Sequence, residues 1–208
     1  MTTPAGAIIH SAFKYDLLIA ALTLGRERKF RERLLVPAAL EDGESVLDVG
    51  CGTGSLALVA ARQVGATGKV VGVDPSPEMI ARARDKARRS QIDISFDVAW
   101  AQALPFPDAS FDVVLSTVML HHIPRAGRED ALREVRRVLK PTGRLVAIDF
   151  GVDPGGHKGL LGHLHRHGGL TARNLVELVT RAGYEVVSSG PLKRWDLQFV
   201  VARPSCSP

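Results

Sequence analysis

Val46-Leu47-Asp48-Val49-Gly50-Cys51-Gly52-Thr53-Gly54 is a short apolar run that stops at an aspartate and breaks into three glycines. Val46, Leu47 and Val49 read as a strand buried on both faces, as a parallel sheet requires, and the glycines predict a turn open to a ligand. Ser55 to Val64 follows with apolar residues at helical spacing. The N–H groups of its first turn then face the crevice at the strand's carboxyl end. Two kinds of ligand use such a corner. A dinucleotide fingerprint, G-x-G-x-x-G, needs a third glycine where this chain has Ser55. Asp48, two residues before the first glycine, sets a carboxylate that repels a pyrophosphate and suits a ligand with an ammonium and a sulfonium.

That ligand is S-adenosylmethionine. The stretch resembles motif I of the class I methyltransferases, and the whole chain is similar to their ubiquinone/menaquinone-biosynthesis (UbiE-like) branch. Leu104-Pro105-Phe106-Pro107 leading into Phe111-Asp112-Val113-Val114, and Leu132 to Leu145 (L-R-E-V-R-R-V-L-K-P-T-G-R-L), carry the same resemblance. It implies a Rossmann-like α/β sandwich. Its sheet is mostly parallel and seven-stranded, ends in a C-terminal antiparallel hairpin, and has helices on both faces. The chain is then one domain over 1–208. Within it, 1–42 form N-terminal lid or cover helices, 43–150 the donor-binding core, 151–169 an acceptor lid, and 170–203 a terminal helix and hairpin.

Composition agrees with one α/β domain: 208 residues, 45% hydrophobic and 24% charged, hold a full core but no second domain. The net charge of +5 allows contact with nucleic acid or an anionic surface. Its Lys and Arg lie beside acids along several predicted helices, so a solvated surface is preferred to an RNA-binding one, and no DNA partner is expected. Two cysteines, Cys51 and Cys206, make neither a disulfide framework nor a metal knuckle. Without a leader-like start or an apolar run long enough to span a bilayer, a cytoplasmic protein is expected.

Leu17 to Leu40 predicts one or two helices with Phe30, Leu34 and Leu35 on the apolar side. By the resemblance, Tyr15-Asp16 belongs to a lid near the methyl donor, with Tyr15 a candidate at the catalytic site. Lys69 to Asp74 reads as the second strand. An acid at its carboxyl end is placed to accept both hydroxyls of an adenosine ribose, a device dehydrogenases share. Ser76, Pro77 and Glu78 then start a helix as N-cap, first residue and dipole partner. Asp93 to Val98 reads as the third strand. The family often packs a residue at Met79 on adenine, and core packing is the alternative. Relatives place an acid on the adenine amine where this chain has Trp100, whose indole stacks but cannot accept that bond. Either stacking and the Ala101 backbone hold the purine, or the alignment shifts, with Asp97 the nearest acid. Asp112, at the fourth strand's start, reads as structural. The donor-contacting set is therefore Asp48, Gly50, Cys51, Gly52, Thr53, Gly54, Asp74, Pro75, Met79, Ala101, Gln102, Ser116 and Thr117.

The fourth strand delivers Ser116, Thr117, Met119, His121 and His122 to the crevice where donor and acceptor meet. Its S-T-V-M-L-H-H-I lacks the Asn/Asp-Pro-Pro-aromatic of base-amino methyltransferases and the Arg-Asn pair of quinone-specific relatives. No cysteine suits pyrimidine C5 or arsenite chemistry. His121 and His122 are the candidate general bases, or else one packs under the next helix while the other bonds solvent or backbone. Arg128 to Leu139 predicts an amphipathic helix stopped by Lys140-Pro141-Thr142-Gly143, before a fifth strand over Arg144 to Phe150. Residues 151–169 carry seven of the glycines, and His163, His165 and His167 alternate there. A lid is preferred to a metal site, and no metal is expected. Thr171 caps a helix to Gly183, and two strands close the chain.

The expected activity is methyl transfer from S-adenosylmethionine to a small apolar or aromatic acceptor. The rivals are a nicotinamide-dependent oxidoreductase and a non-catalytic nucleoside-binding partner subunit of the same fold. No residue pattern fixes the acceptor or the oligomeric state.

Overall fold

The computed structural model describes residues 12–151, 172–192 and 196–205. At its centre is β1 (Ser45–Val49), buried from Val46 onward. It lies between β2 (Lys69–Asp74) and β4 (Phe111–Thr117), parallel to both, with Val49 beside Val73 and Ser116. β3 (Ser95–Val98) and β5 (Leu139–Phe150) extend the parallel sheet outward. β7 (Leu197–Pro204) runs antiparallel between β5 and β6 (Tyr184–Leu192). The order β3-β2-β1-β4-β5-β7-β6 is the expected seven-stranded sheet, and its direction of winding reverses between β1 and β4. A crevice opens at that switch point, beyond the carboxyl ends of the strands.

Strand alternation divides the core in two. Val46, Leu115 and Ile148 face α2 (Glu27–Leu35), α3 (Ser55–Val64) and α4 (Pro77–Ser90). Leu47, Val114 and Ala147 face α5 (Arg125–Val138) and α6 (Ala172–Arg181) on the other side. α1 (Ala12–Leu22) precedes α2 and meets α4, so the Leu17 to Leu40 pattern resolves into two helices, separated at Gly25 with φ +71°. Ser76 caps α4 as expected, accepting the Met79 amide at 3.3 Å.

Some boundaries differ from the sequence reading. α5 starts at Arg125 rather than Arg128, and β3 starts at Ser95 rather than Asp93. Lys140 to Gly143 does not separate helix from strand. β5 begins at Leu139, and residues 140–143 bulge out of the ladder, since Phe111 pairs with Leu139 while Val113 pairs with Arg144. Pro141 cannot donate to a ladder, which confines this stretch to an irregularity at the strand's start. Asp112 is structural there, accepting from the Ser45 amide at 3.0 Å and from Lys140 Nζ at 2.8 Å. It ties three strands together at the end opposite the crevice.

The proposed acceptor lid beyond residue 151, with His163, His165 and His167, lies outside the described residues, as do Thr171 and Cys206. Among the described residues, no group of three His, Cys, Asp or Glu side chains could hold a metal, and no helix is long and apolar enough to cross a membrane.

Candidate functional site

The glycine corner is stitched to the end of β2. Gly50 and Cys51 donate their amides to the Val73 carbonyl at 2.8 and 2.9 Å, and Gly52 donates to Asp74 Oδ2 at 3.0 Å. Gly50 has φ +73°, and a Cβ there would collide with the Met119 side chain. Gly54, φ +76°, caps α3 where a Cβ would stand 2.8 Å from the Phe96 ring and 2.9 Å from Ala83. Asp74 Oδ1 accepts the Ser76 amide at 2.9 Å, so two backbone amides aim this carboxylate. Burial raises its pKa, against the pull of the Ser76 and Gly52 amides. Cys51 is a buried free thiol, and burial with the nearby Asp48 and Asp74 pushes its pKa well up, which makes it inert as a nucleophile.

Asp48 is 1% exposed and its Oδ2 has no hydrogen-bond partner. Burial pushes its pKa up to about 7; the Arg31 charge opposes this, Asp74 adds to it, and the Ala57 amide opposes it. A buried carboxylate oxygen without a partner beneath a backbone loop suits a cationic group. Ser116, buried at the end of β4, also has an unpartnered Oγ, and Thr117 beside it is half-buried.

α1 closes over this corner. Asp16 accepts from Thr53 Oγ1 at 2.7 Å, Lys86 Nζ at 2.7 Å and Arg82 Nε at 3.1 Å, while Lys86 also reaches Thr53 and Ser55 at 2.8 and 2.9 Å. The Ala12 amide donates to Glu78 Oε1 at 2.9 Å. The hydroxyl that replaces a dinucleotide-type third glycine thus belongs to a latch. Tyr15 lies in α1, but its side chain is outside what is described. Lys86 and Arg82 were missed in the sequence because a basic residue on an amphipathic helix reads as solvated surface. Only the fold shows the acid it meets.

On the adenine side of the expected site, Met79 is 2% exposed and packs as core, Pro75 is half-buried, and Ala101 is buried. Gln102 turns its amide nitrogen toward Gly127 of α5, where a Cβ would stand 3.2 Å away. Trp100 is half-buried and bridges to Ala103. Asp97 is no substitute for the adenine acid, because its carboxylate lies at the surface 3.4 Å from Arg84.

The two histidines sit on a 3-10 turn, Leu120–His122, directly after β4. His121 Nδ1 lies 2.7 Å from Asp149 Oδ1, and the His121 amide donates to Asp149 Oδ2 at 3.1 Å. Asp149 Oδ1 also accepts the Phe150 amide at 2.8 Å, and Asp149 is 1% exposed. The His122 ring lies tilted at 41° to the His121 ring with centroids 3.9 Å apart, and Phe150 meets His121 edge-on at 5.4 Å. Arg128 fixes the turn by donating to the carbonyls of Ile123 and His121 at 2.9 and 3.3 Å. Asp149 was missed because it lies in a stretch that reads as scaffold. The signal was available: an acid at the carboxyl end of a buried parallel strand, as with Asp74.

Residues 46–143 match the family model described as "Methyltransferase domain". A demethylmenaquinone methyltransferase of Thermus thermophilus is 40% identical over 148 residues, covering 71% of this chain and 66% of that protein. The chain belongs to the class I S-adenosylmethionine-dependent methyltransferases. A ubiquinone/menaquinone biosynthesis C-methyltransferase UbiE of Escherichia fergusonii is 36% identical to this chain over 146 residues, 69% of the chain and 57% of the relative. The chain thus spans about two thirds or less of these relatives' lengths. The methyltransferase fold agrees with that of a SAM-dependent methyltransferase from Aquifex aeolicus, with a TM-score of 0.75, 22% identity and coverage of 93% and 98% of the two chains. It also agrees with the [4+2]-cyclase SpnF, at a TM-score of 0.73, 23% identity and coverage of 87% and 82%.

Proposed function

We propose that this chain transfers the methyl group of S-adenosylmethionine to a small, apolar or aromatic acceptor. The observation that carries the reading is Asp48: a fully buried carboxylate with an unpartnered oxygen, one residue inside the glycine loop's strand. It fits a cation and opposes a pyrophosphate. In this reading Asp48 and the loop residues Gly50, Cys51, Gly52, Thr53 and Gly54 hold the methionine portion. Asp74, aimed by two amides, takes the ribose hydroxyls, and Pro75, Met79, Ala101, Gln102, Ser116 and Thr117 line the remaining contacts. α1, latched through Asp16, excludes water. When bound, the donor supplies a methyl already activated by its sulfonium, so the protein has to align an in-line displacement and keep the site dry.

Names of the relatives favour an aromatic, quinone-like acceptor. The absent Arg-Asn pair speaks against taking over their substrate unchanged, which leaves the broader acceptor class. An oxidoreductase is disfavoured by Ser55 in the latch and by β7 running antiparallel. Trp100, where relatives place an adenine-contacting acid, is the feature that favours a non-catalytic role instead, since fold does not fix chemistry. A cytoplasmic location is part of the same proposal.

Calorimetric titration with S-adenosylhomocysteine and with NAD tests the donor, and binding of NAD alone would overturn the reading. Incubation with isotopically labelled donor and cell extract, followed by identification of the labelled product, names the acceptor.

A further inference from the structure

The bond between His121 and Asp149 narrows that acceptor class. Asp149 grips one residue twice, taking the His121 backbone amide on Oδ2 and standing 2.7 Å from Nδ1 with Oδ1. The Phe150 amide holds the same carboxylate in place. Each carboxylate oxygen already takes a backbone amide and so faces the ring as an acceptor, which puts the proton of the neutral ring on Nδ1 and its basic electron pair on Nε2, at the far edge. The turn bearing the ring stands at the crevice end of the sheet: Thr117, at the close of β4, pairs with Ile148 just before Asp149. Met119, two residues before His121, packs against Gly50 of the donor loop. Among the described residues, Arg128 on α5, the tilted ring of His122 and the apolar Phe150 lie around the pair.

We infer that Asp149 is a positioning residue that holds His121 as the general base of methyl transfer, so the acceptor presents an ionisable O–H or activated C–H, as a phenol or an enol does. This rests on the methyltransferase reading above. A tertiary amine or a thioether attacks without losing a proton and has no use for such a base. With a phenol, His121 Nε2 takes the hydroxyl proton and the phenol oxygen bonds to the methyl carbon. The carbon–sulfur bond breaks with its electron pair going to sulfur. The products are the methyl ether, neutral S-adenosylhomocysteine and a His121 imidazolium, which Asp149 stabilises until the proton leaves to solvent. With an enol or acidic C–H the new bond forms at carbon and the proton follows the same route.

The test uses the full chain labelled with 15N-histidine, compared with Asp149→Asn and His121→Asn. The expected spectrum of the unmodified protein shows His121 protonated on Nδ1. In Asp149→Asn, where an amide replaces the carboxylate that faces Nδ1, that tautomer preference weakens. With 1-naphthol and 2,4-pentanedione as probe acceptors and labelled donor, kcat falls about 100-fold in either variant near pH 7. The loss falls on kcat and leaves KM for the acceptor within twofold. S-adenosylhomocysteine affinity stays within twofold. A His121 protonated on Nε2 overturns the inference, as does a kcat that ignores the Asp149 change or a loss confined to KM. Failure of the unmodified protein to bind S-adenosylhomocysteine strikes the methyltransferase reading instead, and leaves the tautomer result standing.

Discussion

Asp16 on α1 and Lys86 on α4, 70 residues apart in sequence, meet at 2.7 Å above the glycine loop. Their contact ties the first helix to the glycine corner. Burial alone would raise the Asp16 pKa, but hydrogen bonds from Lys86 and Thr53 and the Lys86 charge bring it below the usual carboxylate range.

Asp16→Ala should therefore release α1 while leaving the sheet intact. The expected loss is about 1 kcal/mol of stability, since the pair is partly solvated. Amide exchange should accelerate in residues 12–22, and S-adenosylhomocysteine should dissociate several-fold faster. Exchange confined to the α5 side would show that the latch does not hold the lid.

Asp48 sets a pH dependence whose sign can be worked out. Its pKa in the folded chain, about 7, stands above its ordinary 3.8, so the unliganded native state holds the extra proton between those values. Stability of the unliganded protein then falls as pH rises from about 4 to 7, and Asp48→Asn should stabilise it at pH 8 by a few kcal/mol. Binding behaves in the opposite sense, because a cationic ligand needs the anion. Affinity for S-adenosylhomocysteine should drop about tenfold from pH 8 to pH 6, and the slope should flatten in Asp48→Asn. Thermal unfolding and calorimetry across that range measure both.

Asp74→Ala removes the acceptor of two amides as well as the proposed ribose contact. Donor-site affinity should fall by about 2 to 4 kcal/mol in a titration with S-adenosylhomocysteine. Asp74→Asn, which keeps a carbonyl for one amide, should lose less. An unchanged dissociation constant in both would place the nucleoside elsewhere.

The sequence disclosed whatever is local and periodic. The β1 corner, the capped start of α4 at Ser76 and the closing hairpin all announce themselves through spacing and turn chemistry. Contacts made across the fold left no such trace. Lys86 meets Asp16 and Asp149 meets His121 only after helices and strands distant in the chain are packed side by side. The stretch at 140–143 failed for another reason: Pro141 and Gly143 punctuate a bulge as readily as they stop a helix.

Gly54→Ala should be severe because backbone and space object together. The residue holds φ +76°, and the added carbon would press on the Phe96 ring and Ala83. A cost of about 2 to 4 kcal/mol is expected in denaturant unfolding. Phe96→Leu in the same chain should recover part of it, a coupling that a double-mutant cycle would read directly. Strict additivity would remove the steric half of the explanation.

Met119 resting on Gly50 works as a spacer of fixed length. The methionine follows β4, the glycine follows β1, and His121 comes two residues after the contact, with no loop between to take up slack. In the proposed reaction that packing sets the interval between methyl source and proton acceptor. Enlarging or shrinking that one thioether would change the rate of reaction through distance alone, with both binding partners still in place.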